Sequence, residues 1–195
     1  MAVENLLKES SFEEVYISVG DVSEAEFDDL SLEKAFLEDV IFNQAKISDF
    51  NTIDSIFSKC SFAGTFVERS YFLRTEFQST RLQGIQLAQS RIIDTSFLSS
   101  KLNDANFRYA KLKNVLFESC DLSGSDLIRA DLKNVVFKKC NLDGINFSHA
   151  QLNNVDLSGS NISNMIIGPE AIKEVYVDTE QALYLSSIFG LKIRD

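Results

Sequence analysis

The sequence is short of almost everything that enzymes and secreted proteins are built around. It has one histidine, His149, and one proline, Pro169, in 195 residues. It contains no HExxH, no Walker-type GK[ST], no GxGxxG and no CxxC, so the common metal, nucleotide and redox signatures are missing. Its acids are abundant, but none is paired in a recognisable catalytic setting, and the chain reads as a non-enzyme with no cofactor and no metal site. His149 reads as an exposed turn residue rather than a general base. No run approaches the roughly 18 apolar residues of a membrane span. The start, MAVENLLKESSFEE, has neither a basic opening nor an apolar core, so it reads as lacking a signal peptide. The expected location is therefore the cytoplasm. The three cysteines would be reduced there, and the Asn-x-Ser sequons at Asn146 and Asn161 would be unused.

What is present is a repeat. Starting at Phe12, every fifth residue to Ile167 is Leu, Ile, Val or Phe, with Thr52 the sole exception. Five is neither the 3.6 of a helix nor the 2 of a flat strand, so the period marks a repeat architecture. The residues two before each centre, at the multiples of five from Ser10 to Met165, are mostly small and never charged. Two positions in five are thus kept from water. At Thr52 the roles are exchanged: the bulk is carried by Phe50, which conserves interior volume.

A period of 20 lies over the period of five. Phe57, Phe77, Phe97, Phe117 and Phe137 recur at 20, as do Gly64 with Gly84, Gly124 with Gly144, and Cys120 with Cys140. Cys60 falls in the same column. A coil of four five-residue units accounts for all three series. It predicts stacked phenylalanines, buried thiols, and glycines gathered where a corner needs positive φ. Inward Ser and Thr, among them Thr65, Ser70, Thr75 and Thr80, must find hydrogen-bond partners.

The units AEFDD, ANFRY, AKLKN, CDLSG, SDLIR, ADLKN, CNLDG and VDLSG resemble the A-(D/N)-(L/F)-x-x motif of the pentapeptide repeat proteins. The resemblance covers roughly residues 10 to 177. It implies an all-β fold: a right-handed, quadrilateral parallel β-helix of about eight coils. At about 4.8 Å per coil the rod would be roughly 38 Å long.

We divide the chain into a β-helix over 1–177, with a clear register over 10–169, and a C-terminal helix and tail over 178–195. Within DTEQALYLSSIFG, Asp178 or Thr179 would cap the helix and Gly190 would end it. LKI would add a short strand. Ala182, Tyr184, Leu185, Ile188 and Phe189 are the expected dimer contacts. The tail resembles that of the quinolone-resistance members of the family, which dimerise tail to tail.

Charge is uneven. Residues 1–60 hold 14 acids against four bases, and residues 61–195 hold 15 of each. The whole net charge of −10 therefore lies in the first coils. Glu13, Glu14, Asp21, Glu24, Glu26, Asp28, Asp29, Glu33, Glu38 and Asp39 form the candidate partner-binding surface. Such a surface repels nucleic acid and membranes and suits a basic partner. Resemblance to the quinolone-resistance members implies a DNA-mimicking modulator of gyrase or topoisomerase IV. The alternative is a scaffold module without a known partner. Arg74, Arg91, Lys111, Lys113 and Lys133 fall on one side of the coil. They would either offset neighbouring acids or bind phosphate.

Overall fold

The computed structural model describes residues 2–192, apart from the side chain of Lys173. Strands one coil apart pair in parallel at an offset of 20: Phe12 with Leu32, Leu32 with Thr52, Thr52 with Phe72, and so on along the chain. The result is a parallel β-solenoid of about eight turns with one short C-terminal helix. Backbone hydrogen bonds run from coil to coil, as in Lys46 N to Ala25 O at 2.9 Å and Ile47 N to Phe66 O at 2.9 Å. Each coil has four sides. We name them by the first inward residue of each: the Phe12, Ile17, Val22 and Phe27 faces.

The interior follows the two sequence columns. Phe57, Phe77, Phe97, Phe117 and Phe137 stack with ring centroids 5.0, 4.9, 4.8 and 5.0 Å apart. This spacing is set by the strands, so parallel stacking follows from register. Phe50 and Thr52 are both buried. Phe50 meets Phe57 and Phe72 edge-on, and the Thr52 hydroxyl bonds that of Thr75 at 2.7 Å. The other inward hydroxyls bond carbonyls: Thr65 to Phe42 O, Ser70 to Val67 O and Thr80 to Phe57 O. Desolvation is thereby offset at each position.

The glycines lie where positive φ was expected, but the conformation is more widespread than the glycines mark. Positive φ is not reserved for the glycines. It recurs at nearly every corner from Glu14 to Asn164, and most of these corners hold Asp, Asn, Ser, Lys, Arg or Gln. Gly64, Gly84, Gly124 and Gly144 share it with φ of 65° to 68°, but Asp104 in the same column adopts 59°. Coil-to-coil bonds on both sides override the left-handed penalty. Val19, at φ 55°, is the one β-branched residue in this conformation among the described residues.

Both ends are closed. At the N-terminus a short 3₁₀ helix, Val3–Leu7, buries Val3 and Leu6 over the first coil. Val3 occupies the space a Cβ at Gly20 would fill. At the C-terminus the strand Ile172–Tyr176 pairs with Gln151–Asp156 through shifted register, an irregular last coil. The helix Thr179–Ile188 follows. Leu191 and Lys192 lie in no strand, and the remainder of the strand expected over LKI falls outside the described residues.

Candidate functional site

The ten candidate carboxylates do not form a stripe. The coil geometry distributes them around the whole circumference of the first two turns. Glu13 and Glu33 point out from the Phe12 face and Glu14 from its corner. Glu38 lies on the Ile17 face with Asp39 at its corner, Asp21 on the Val22 face with Glu24 at its corner. Glu26 and Asp28 are on the Phe27 face, with Asp29 at its edge.

Four of the ten are held in ion pairs one coil away. Lys34 Nζ lies 2.9 Å from Glu13 and 3.2 Å from Glu14, Lys46 lies 2.7 Å from Glu26, and Lys59 lies 3.1 Å from Glu38. The Lys46 hydrogen bond lowers the Glu26 pKa below the ordinary carboxylate value. Asp21 is likewise lowered, by the Ser23 hydroxyl and then by its backbone N–H. Glu24, Asp28, Asp29, Glu33 and Asp39 are exposed and have no ion pair among the described residues.

The basic residues also separate. Arg74 clamps Asp54 with two bonds of 2.5 and 2.7 Å. Arg91, Lys111, Lys113 and Lys133 stand exposed on the Phe12 face, with no ion pair among the described residues. Lys113 and Lys133 are direct register neighbours, an unfavourable like-charge pairing on a strand.

The helix is docked rather than free. Asp178 caps it and forms a capping box with Gln181. Gln181 also donates from Nε2 to Leu157 O at 2.7 Å and Ser160 O at 2.8 Å, satisfying carbonyls at the open edge of the last turn. Asp178 accepts from Gly159 N at 3.0 Å. The sequence signalled the cap at Asp178, but not this use of Gln181. Of the five expected dimer residues, Leu185 is buried against its own rod. Tyr184 and Phe189 are half-buried there, and Ala182 and Ile188 face outward.

Cys60, Cys120 and Cys140 are free, buried thiols. Burial pushes Cys60 up to about 12. Its hydrogen bond to Cys140, and then burial, raise Cys120. Cys60 and Cys120 are therefore poor nucleophiles, while the same thiol–thiol hydrogen bond lowers Cys140, which is kept from solvent by its burial. His149 is exposed, with Nδ1 3.7 Å from Glu170 Oε1. Among the described residues no group of three or more His, Cys, Asp or Glu is arranged to hold a metal ion. No helix among them is long and apolar enough to cross a membrane.

No curated protein matches the sequence. Among solved structures, full-length QnrB1, a plasmid-mediated fluoroquinolone resistance protein, is similar at 18% identity, covering 93% of this chain and 100% of that one, with a TM-score of 0.39. HetL, a pentapeptide repeat protein involved in heterocyst differentiation regulation in the cyanobacterium Nostoc, is similar at 16% identity over 90% of this chain and 94% of its own, with a TM-score of 0.37. A pentapeptide repeat protein of the Arabidopsis thaliana thylakoid lumen is 16% identical over 72% of this chain and 76% of its own, with a TM-score of 0.29. The sequence itself matches the family profile described as "Pentapeptide repeat region" over residues 51–127 and 110–181. With the five-residue register and the parallel coils already described, that match makes the chain a member of the pentapeptide repeat family.

Proposed function

We propose that the protein is a non-enzymatic binding rod whose acidic N-terminal coils engage a basic protein surface, with a type II DNA topoisomerase as the partner. One observation carries the reading: the whole net charge of −10 lies in the first 60 residues. Five of the carboxylates there, Glu24, Asp28, Asp29, Glu33 and Asp39, are exposed and unpaired among the described residues. Concentrated charge of one sign steers a complementary partner and disfavours nucleic acid and anionic membranes. The resemblance of repeat and tail to the quinolone-resistance members directs the choice of partner, and a cytoplasmic location follows from it. Residues 178–195 form the second unit in this reading. There, outward Ala182 and Ile188, with the half-buried Tyr184 and Phe189, form a tail-to-tail homodimer contact.

The test is gyrase supercoiling, with and without a quinolone, at low micromolar protein. Inhibition or drug protection that is lost in Asp28→Asn/Asp29→Asn/Glu33→Gln supports the reading. Activity that is unaffected by the unsubstituted protein refutes it. Phe189→Asp is expected to halve the apparent mass on sizing at high salt if the tail contact holds.

A scaffold role is favoured by one particular feature. The acids ring one end, whereas a mimic of duplex DNA needs them along its length, and residues 61–195 are neutral.

A further inference from the structure

A single outward column of the Phe12 face is its own electrostatic complement. Read from coil to coil in printed register, it runs Glu13, Glu33, Ile53, Leu73, Ile93, Lys113, Lys133. Two acids are followed by three apolar residues and two bases, and the series is symmetrical about Leu73. All four charged residues are exposed, and the three apolar ones are half-buried. Only Glu13 has an ion pair within its own chain among the described residues, to Lys34.

We propose that this face docks a second copy of the chain, antiparallel, about a two-fold axis at the level of Leu73. A two-fold axis lying in the contact plane, across the rods, keeps each column over itself and reverses its direction. Glu13 then faces Lys133 of the other copy, Glu33 faces Lys113, Ile53 faces Ile93, and Leu73 meets itself. The neighbouring outward row agrees. It runs Ser11, Ser31, Asn51, Tyr71, Arg91, Lys111, Asp131, so Tyr71 meets Tyr71, Arg91 meets Asn51, and Lys111 meets Ser31. No like charges oppose one another in either row. At the corner the same operation sets Arg74 against Arg74 and Asp54 against Asp94, like charges that each copy already offsets internally by the Arg74–Asp54 ion pair.

The arrangement also explains an intramolecular oddity. Lys113 beside Lys133, and Glu13 beside Glu33, are like charges at strand spacing, which destabilise an isolated rod and are neutralised in the pair. One side of a solenoid is a narrow contact, at the small end of the interface size range, so the dimer is concentration- and salt-dependent. It is independent of the tail contact and of any topoisomerase binding.

The test uses the full chain carrying Phe189→Asp, which removes any tail contact, in sedimentation equilibrium at low salt. Lys113→Glu/Lys133→Glu and Glu13→Lys/Glu33→Lys each create four like-charge pairs across the two-fold, and each alone should raise the dissociation constant roughly tenfold or more. An equimolar mixture of the two should associate again, as should the chain carrying all four reversals. Unchanged circular dichroism and melting confirm that the variants fold. Separately, Leu73→Cys should self-link through a short bismaleimide, and Asn153→Cys, which has no symmetric counterpart on the face, should not. Monomer at all concentrations, a mixture no more associated than its components, or a dimer in which Leu73→Cys fails to link would each overturn the proposal.

Discussion

The two halves of the rod share one backbone and one interior, yet they tie their coils together differently outside. In the first four coils the outer rungs are ion pairs: Lys34 with Glu13 and Glu14, Lys46 with Glu26, Lys59 with Glu38, and Arg74 with Asp54. In the later coils amides dominate. Asn154 donates to Asn134, Asn134 to Asn114 and Asn114 to Asp94, at 2.8, 2.9 and 2.7 Å. A second row runs from Asn161 to Asn141 to Asp121 at 2.9 and 3.0 Å. A side-chain amide both donates and accepts, so it repeats indefinitely down a column. A charged rung must alternate sign. The comparison teaches that interior columns set the fold, while outer rows are free to specialise each half.

The largest effect should ignore the distinction between halves. Phe97→Ala removes a ring from the shared stack and should destabilise by about 3–5 kcal/mol in denaturant unfolding, and a loss under about 1 kcal/mol would contradict the continuous core. Next comes an effect confined to the C-terminal half. Gln181→Ala strands the Ser160 carbonyl and leaves the Leu157 carbonyl with only Ser160 N–H, at 3.2 Å, and should cost about 1–3 kcal/mol, with faster hydrogen exchange in the last coil. Acid should loosen the same cap. Backbone N–H groups of Gln181 and Gly159 lower the Asp178 pKa from 3.8. The stabilisation is therefore complete above the unfolded carboxyl pKa of about 3.9 and disappears as pH falls through the lowered folded value. Asp178→Asn should remove that dependence.

The smaller effects belong to the N-terminal half. Val19→Asn relieves a β-branched residue at φ 55° and should stabilise by about 1 kcal/mol, measured as a rise in melting temperature. Raising salt to about 1 M should quicken exchange more in the first four coils than in the later ones, which hold the ion pairs Arg108–Asp126 and Lys138–Glu118 beside their amide rows, with under about 1 kcal/mol per pair at stake. Equal responses in both halves would erase the distinction.

The interior was legible because burial imposes a rule on each unit, so Thr52 and Phe50 could be read as an exchange. The corners were legible only where glycine marks them, because elsewhere their conformation is imposed by neighbouring coils, which no local residue preference announces. The 3₁₀ cap at Val3–Leu7 was missed because its signal is only two buried residues against Gly20. The acidic set was visible by composition, but its circular distribution, and the division of the Phe12 face into acid, apolar and basic thirds, required the winding.

The constant 20-residue offset between coils has a consequence for how such a chain can change length. One inserted residue turns every later inward side chain outward or into a corner. Five preserve the inside but rotate all later outer rows by a quarter turn: placed before Lys113 they move Lys113 and Lys133 off the face that carries Glu13 and Glu33, and placed between Asn114 and Asn134 they sever that amide row. Twenty leave every column continuous. The protein can therefore grow or shrink in whole turns, and its surface records the phase of every insertion it has accepted.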